Sequence, residues 1–288
     1  DSMAVFPSFS LDPESISQIV DIGKKIAFGL NCIGMLNIQY IMSEGVIYVL
    51  EVNPRASRTV PFLAKATGIS MAKVATKVML GQTLEDQGVP IGLGPKPKCS
   101  TLKAPVFSFN KLLGVEVGLG PEMKSTGEIM SFGESLTEVF SKTWTSLGFN
   151  DVNSEKGAVL ITVNDRDKLF ASALAKRARK LGYEIYATSG TYDFFSEKSI
   201  DSFPIRKIHE GEPNLLNLIS DGRISFVINS VSGNSEAETD GMRIRAASVK
   251  NEIPLFTNLE SAEAFLETLE FWSRDSKVFP VRALQDSI

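Results

Sequence analysis

Cysteine is scarce in this 288-residue chain, which has only Cys32 and Cys99. Two cysteines make no disulfide framework, so the compartment expected is the reducing cytoplasm. Histidine is scarcer, with His209 alone, and a lone histidine is more often structural than catalytic. A surplus of positive charge is missing: 34 acidic residues outweigh 30 basic ones, for a net charge of -4. General nucleic-acid binding, which needs Lys and Arg to displace counterions, is therefore not expected. No apolar run approaches the roughly 20 residues that a membrane span needs, so no membrane partner is expected either. Neither an initiator Met nor a basic-then-apolar signal segment precedes Asp1, which leads us to expect a fragment of a longer protein. What is present is 43% hydrophobic and 22% charged, enough apolar surface for real cores. At about 150 residues per domain, two domains are expected.

Asp12-Pro13-Glu14-Ser15 reads as a helix start, with Asp12 as N-cap and Pro13 at the first helical position. Ile16, Ile19, Val20, Gly23, Ile26, Ala27 and Leu30 then recur at helical spacing, so one face of that helix is expected to be buried. The period next changes to two. Leu36 to Met42 and Val46 to Asn53 are β-rich runs around Ser43-Glu44-Gly45, the pattern of a hairpin. A helix is expected over about Ile69 to Leu80, then short strands and turns from Gly92 to Ser131, with Phe107 and Phe109 on one strand face. Leu136, Val139, Phe140 and Trp144 mark another helix ending near Gly148, and Asn150 to Lys156 reads as a linker. Beyond Gly157 the strand candidates are Ala158 to Val163, Glu184 to Ala187, Ile205 to Ile208, Ile224 to Ile228 and Pro254 to Thr257. They alternate with helical stretches, the signature of a doubly wound parallel sheet. The boundaries expected are 1–150 for the first domain and 157–288 for the second.

In the run Val49-Leu50-Glu51-Val52-Asn53, Glu51 and Asn53 point to the same side of a strand. With the turn at Ser43 to Gly45, Gln39 falls opposite Val49 and diagonal to Glu51. Three oxygen-bearing side chains on one face suit Mg²⁺, which takes one or two carboxylates and completes its shell with water and phosphate oxygens. Arg55 and Arg58 follow directly, and guanidinium groups bind phosphate or carboxylate in a fork. An ordinary ion pair between Glu51 and either arginine is the competing explanation of the same spacing.

The text of the segment goes further. Glu51-Val52-Asn53-Pro54-Arg55-Ala56-Ser57-Arg58-Thr59-Val60-Pro61-Phe62 and Lys65-Ala66-Thr67-Gly68 closely resemble the ATP-grasp module of the carbamoyl phosphate synthetase large subunit. So do Phe109-Asn110-Lys111 and Gly120 to Glu128. Order and spacing are similar to the second, carbamoyl-phosphate-forming half, and the resemblance runs from Asp1 almost to the C-terminus. It implies a partial ATP-grasp domain in a glutamine-dependent ligase of pyrimidine and arginine biosynthesis. ATP is the implied substrate, Mg²⁺ or Mn²⁺ the implied metal, and K⁺ a further ion. Gln39, Glu51 and Asn53 would hold the metal, while Arg55 and Arg58 would act catalytically on phosphate and carbamate. The family also uses an upstream half with a lysine-bearing strand and a flexible loop, absent before Asp1, so this polypeptide alone is expected to make no carbamoyl phosphate. A glutaminase, as small subunit or fused domain, is the implied partner, and a homo-oligomer the implied assembly.

In the second domain, Thr162, Thr188-Ser189-Gly190-Thr191, Asn229-Ser230 and Thr257 fall near the carboxyl ends of strands, where open parallel sheets bind ligands. Lys168 near a helix start and Lys207 on the third strand add ammonium charge, so the edge suits a phosphate. Helix capping explains Thr162 or Thr257 taken singly, and explains the whole set less well. Here the chain resembles the methylglyoxal-synthase-like allosteric domain that ends the same large subunit. The resemblance implies that Thr162, Lys168, Thr188, Thr191, Lys207 and Asn229 bind a nucleotide effector such as UMP or IMP. It implies ornithine-related or coupling roles for Asp1, Phe107 and Thr257. Two departures stand out: Val231 replaces a Thr, and Ala104 replaces the Glu that would pair with an ornithine ammonium group. Ornithine is thus expected to be a weak effector or none, and Asp1, as a chain end, is expected to fray. The competing functions are a nucleotide-binding module without chemistry, and a methylglyoxal synthase-type lyase using Asp165 or Asp167.

Overall fold

In a computed structural model the described residues are 1–94, 97–109, 117–118, 120, 122–149, 157–230, 235–274, 279 and 282–283. The expected linker at 150–156, Asn110-Lys111 and Val231 lie outside them. By compactness the chain divides into two units, one of Asp1–Met3, Ala104–Ser131 and Leu136–Phe279, the other built mainly from Ala4–Lys103.

In the second of these units, strand β1 (Ala4–Phe6) is followed by helix α1 (Pro13–Gly29), whose N-cap Asp12 accepts from the Ser15 amide at 2.8 Å. The expected inner face of α1 is only half-buried, and none of its residues is fully buried. Strands β2 (Asn37–Ser43) and β3 (Val46–Asn53) form an antiparallel hairpin. Its loop is the two residues Glu44 and Gly45, both with positive φ (50° and 77°), one residue shorter than expected. This is the twist that a two-residue hairpin requires. Helix α1 comes so close to the hairpin that a Cβ on Gly23 would lie 3.2 Å from the Tyr40 hydroxyl. Helices α2 (Thr59–Thr67) and α3 (Met71–Met79) follow. The pattern had supplied only the second of them, because α2 begins in a Pro- and Arg-rich segment. Strand β4 (Ser100–Val106) pairs antiparallel with β1, Val5 opposite Leu102.

The larger unit continues with β5 (Gly127–Gly133) and α4 (Leu136–Ser146). Its main feature is a five-stranded, wholly parallel sheet of β6 (Ala158–Thr162), β7 (Glu184–Thr188), β8 (Phe203–Ile205), β9 (Ile224–Asn229) and β10 (Leu255–Phe256). The order is β10-β9-β6-β7-β8, so the winding reverses between β6 and β9. The crossovers include α5 (Lys168–Lys180), α6 (Ser189–Glu197), α7 (Leu215–Ser220) and α8 (Ser235–Lys250), and α9 (Leu259–Arg274) closes the unit. Both sheet faces are covered, as a fully parallel sheet requires. Val159 and Ile161 face a core with α5 and α9, and Ala158 and Leu160 face another with α7 and α8. Thus the doubly wound α/β fold holds. Helix α4 joins the first core: Trp144 packs edge-on against Phe256 and Phe265, and Trp272 Nε1 donates to Ser141 Oγ at 2.6 Å.

Three expectations change. The third strand ends at Ile205, so Lys207 sits beyond it, at the start of a 3-10 turn over Ile208–Glu210. Phe107 and Phe109 lie past the end of β4, yet their rings stack at 5.0 Å. Asp1 does not fray: its carboxylate accepts from the Lys124 amide at 2.5 Å, the Ser125 amide at 3.0 Å and Ser125 Oγ at 2.5 Å.

Candidate functional site

On the hairpin, pairing runs in step from Ser43 opposite Val46 to Tyr40 opposite Val49, and then slips, so that Gln39 faces Glu51 directly. Leu50 is the extra residue of this bulge. The two-residue turn alone would have set Gln39 against Leu50; the bulge turns it to the Glu51 face. Gln39 is thus opposite Glu51 rather than diagonal to it. Gln39 Nε2 donates to Glu51 Oε1 at 2.8 Å and Asn53 Nδ2 donates to the same oxygen at 2.9 Å. The three expected side chains therefore meet. They bring one carboxylate and two amide oxygens, an all-oxygen set that fits Mg²⁺ or Mn²⁺ sharing its shell with phosphate and water. Among the described residues no group of three or more His, Cys, Asp and Glu could hold a metal. Arg55 and Arg58 are exposed just beyond the strand, and Arg55 NH1 donates to the Ala56 carbonyl at 2.9 Å.

In the parallel-sheet unit, Thr162, Lys168, Thr188, Thr191, Lys207 and Asn229 all line one cavity of about 660 Å³. It opens at the carboxyl ends of β6 and β9, where the winding of the sheet reverses. Thr162 and Asn229 end these strands side by side. Thr162 Oγ1 lies 3.2 Å from Thr188 Oγ1, and Asn229 Nδ2 donates to the Thr162 carbonyl at 3.3 Å. Thr188, Thr191 and Asn229 are buried. Thr188 caps α6, so the backbone N–H groups of Ser189-Gly190-Thr191 begin a nine-residue helix at the cavity edge, with the positive end of its dipole.

Lys168, the first residue of α5, is held by Asp165 of a 3-10 turn over Asp165–Asp167, Nζ to Oδ1 at 2.7 Å. The hydrogen bond from Lys168, and then its charge, hold the Asp165 carboxyl below its ordinary value. Ser230 Oγ accepts from both the amide and the side-chain Nδ2 of Asn164, each at 3.1 Å, tying the end of β9 to the turn after β6.

The residues that sequence reasoning passed over are Asp240, Gly241 and Arg245 of α8. Asp240 lines the cavity with His209, whose Nδ1 is 3.3 Å from Asp240 Oδ2. Buried Arg245 donates from NH1 to Asn229 Oδ1 at 3.0 Å, which fixes the amide so that its Nδ2 meets Thr162. A Cβ on Gly241 would come within 2.8 Å of that guanidinium, so glycine makes room for it. Nothing in the local pattern of α8 marks these residues, which lie far in sequence from the strands they serve. Thr257 follows β10 and does not line the cavity, Ala104 is fully buried, and Asp167 is bonded through its amide to Asn164 Oδ1 at 3.2 Å.

Two family models match the chain. The carbamoyl-phosphate synthase L chain, ATP binding domain, matches residues 1–87, and the MGS-like domain matches residues 171–257. In that order they match the C-terminal part of a carbamoyl phosphate synthetase large subunit. The first match contains the whole of the Gln39, Glu51, Asn53, Arg55 and Arg58 set. The second contains Thr188, Thr191, Lys207 and Asn229, with Thr162 and Lys168 just ahead of it. A match to a carbamoyl-phosphate synthase ATP-binding domain is thus followed by a match to an MGS-like domain. Among solved structures, a crystal structure of ForH is similar at 16% identity and a TM-score of 0.31, over 41% of this chain and 82% of that one, a likeness too slight to carry an argument. Among the described residues no helix is long and apolar enough to cross a membrane.

Proposed function

We propose that this chain contributes to an ATP-dependent ligase that phosphorylates carbamate, and that its C-terminal domain carries a regulatory site for a nucleotide phosphate. The functional division follows the sequence, residues 1–150 serving ATP chemistry and 157–288 the effector. The observation that carries the regulatory part is the cavity itself. Five of the residues that line it arrive from four separate segments: Thr162 at the end of β6, Thr188 and Thr191 at the start of α6, Lys207 after β8 and Asn229 at the end of β9. Hydroxyls, an amide, helix N–H groups and two ammonium groups form a donor-rich wall, shared with the carboxylates of Asp165 and Asp240, that suits a phosphate monoester.

On the hairpin, Glu51 with Gln39 and Asn53 would hold the divalent metal that shields the ATP phosphates. Arg55 and Arg58 would neutralise charge on the transferring phosphoryl group, the main task of a protein in such a transfer. In this reading the enzyme serves pyrimidine and arginine biosynthesis in the cytoplasm, with a glutaminase that supplies ammonia and further copies of the chain as its partners.

Calorimetric titration of the chain with UMP and IMP tests the regulatory site. At least one is expected to bind, and Lys207→Ala is expected to weaken it about 10- to 100-fold, the worth of one charge-assisted contact. No binding of either by the folded chain overturns the proposal.

A further inference from the structure

Lys168 is an enclosed cation of the cavity, and its partner is in open water. Its side chain is 16% exposed and its ammonium is bonded to Asp165, which is 95% exposed. The same Nζ lies 3.4 Å from where a Cβ on Gly190 would sit, over the first turn of α6. The ammonium therefore stands between a carboxylate and the N–H groups that would receive a phosphate. The other carboxylate of the cavity, Asp240, already faces His209.

We infer that Asp165 is an affinity-setting residue of this cavity: it competes with an anionic ligand for Lys168, so that a phosphate binds only by sharing or displacing an internal carboxylate. The inference rests on the phosphate reading of the cavity. Its physical basis is charge. A phosphate dianion on Lys168 stands within a few ångströms of a carboxylate that is itself only 2.7 Å from the same ammonium. The repulsion grows with ligand charge, and in a largely solvated setting it amounts to roughly a three- to tenfold loss of affinity. Such a carboxylate keeps the site from filling with ordinary cellular anions and reserves it for ligands with further contacts, such as those available at Thr191 and Asn229. Because Asp165 is exposed and its contribution to packing is slight, changing it leaves the fold intact.

The test is calorimetric titration of the full chain with inorganic phosphate at low ionic strength, comparing wild type with Asp165→Asn, Asp165→Glu and Lys168→Ala, each checked for folding by circular dichroism. Asp165→Asn is expected to bind phosphate roughly three- to tenfold more tightly, Asp165→Glu to stay near wild type, and Lys168→Ala to lose binding. Phosphate binding by wild type that Lys168→Ala abolishes and Asp165→Asn leaves unchanged or weakens overturns the competition while sparing the phosphate site. No phosphate binding by wild type or Asp165→Asn overturns both.

Discussion

Strands β3 and β6 read alike and fare differently. Val46-Ile47-Tyr48-Val49-Leu50 is as apolar as Ala158-Val159-Leu160-Ile161. In β6 those four residues are all buried, whereas no residue of β3 is. Helices α5 and α9 cover one face of β6 and α7 and α8 the other, so its β-branched run is a core strand of a parallel sheet. The hairpin meets α1 on one side and leaves Ile41, Val46, Tyr48 and Leu50 exposed. A run of apolar residues thus specifies a strand, while burial depends on which neighbours the rest of the fold supplies. An apolar patch left open on a folded unit is the usual mark of a contact surface.

The largest effect expected from this contrast is in the parallel-sheet core. Phe265→Ala removes a fully buried ring that touches Trp144, Phe226 and Phe256. It is expected to cost about 3–5 kcal/mol by denaturant unfolding. A loss under 1 kcal/mol, as at an exposed site, would break the comparison. On the hairpin, Leu50→Ser alters a bulged residue that is 61% exposed and is expected to change stability by under about 0.5 kcal/mol. The same substitution should reduce self-association in light scattering if the open face is sticky. Smallest of all is an effect of pH on the start of α1. The Asp12 carboxyl is held below its ordinary value by hydrogen bonds from the amide and then the hydroxyl of Ser15. A lowered value means that the cap is in full force above the ordinary carboxylate range and fades as acid takes the pH down through the depressed value. An NMR titration should show the Ser15 amide shifting there, and Asp12→Ala should remove that transition.

The N-cap at Asp12, the hairpin, the α4 pattern through Trp144 and the alternation of strands and helices after Gly157 were all legible, because each is written in neighbouring residues with a fixed period. The edges were less so. Lys207 lies beyond the strand that its neighbours suggest, since the run Ile205 to Ile208 reads as β-rich as the strand Phe203–Ile205 itself. Gln39 was set against the wrong partner, since a bulge is not visible in alternation alone. Helix α2 was missed behind Pro54 and the arginines.

By itself the sequence determined the parallel α/β layout, the all-oxygen set on one hairpin and the hydroxyl, amide and lysine groups that end the strands. Those features follow from spacing along the chain, over distances that backbone geometry controls. Only the tertiary structure decided that six such residues share one cavity, that Arg245 reaches back from α8 to orient Asn229, and that Asp165 holds Lys168 at the cavity rim. These depend on the reversal of winding between β6 and β9, which sets a crevice beyond the paired ends of the two strands and brings to it segments far apart in sequence. Local periodicity carries no record of that reversal.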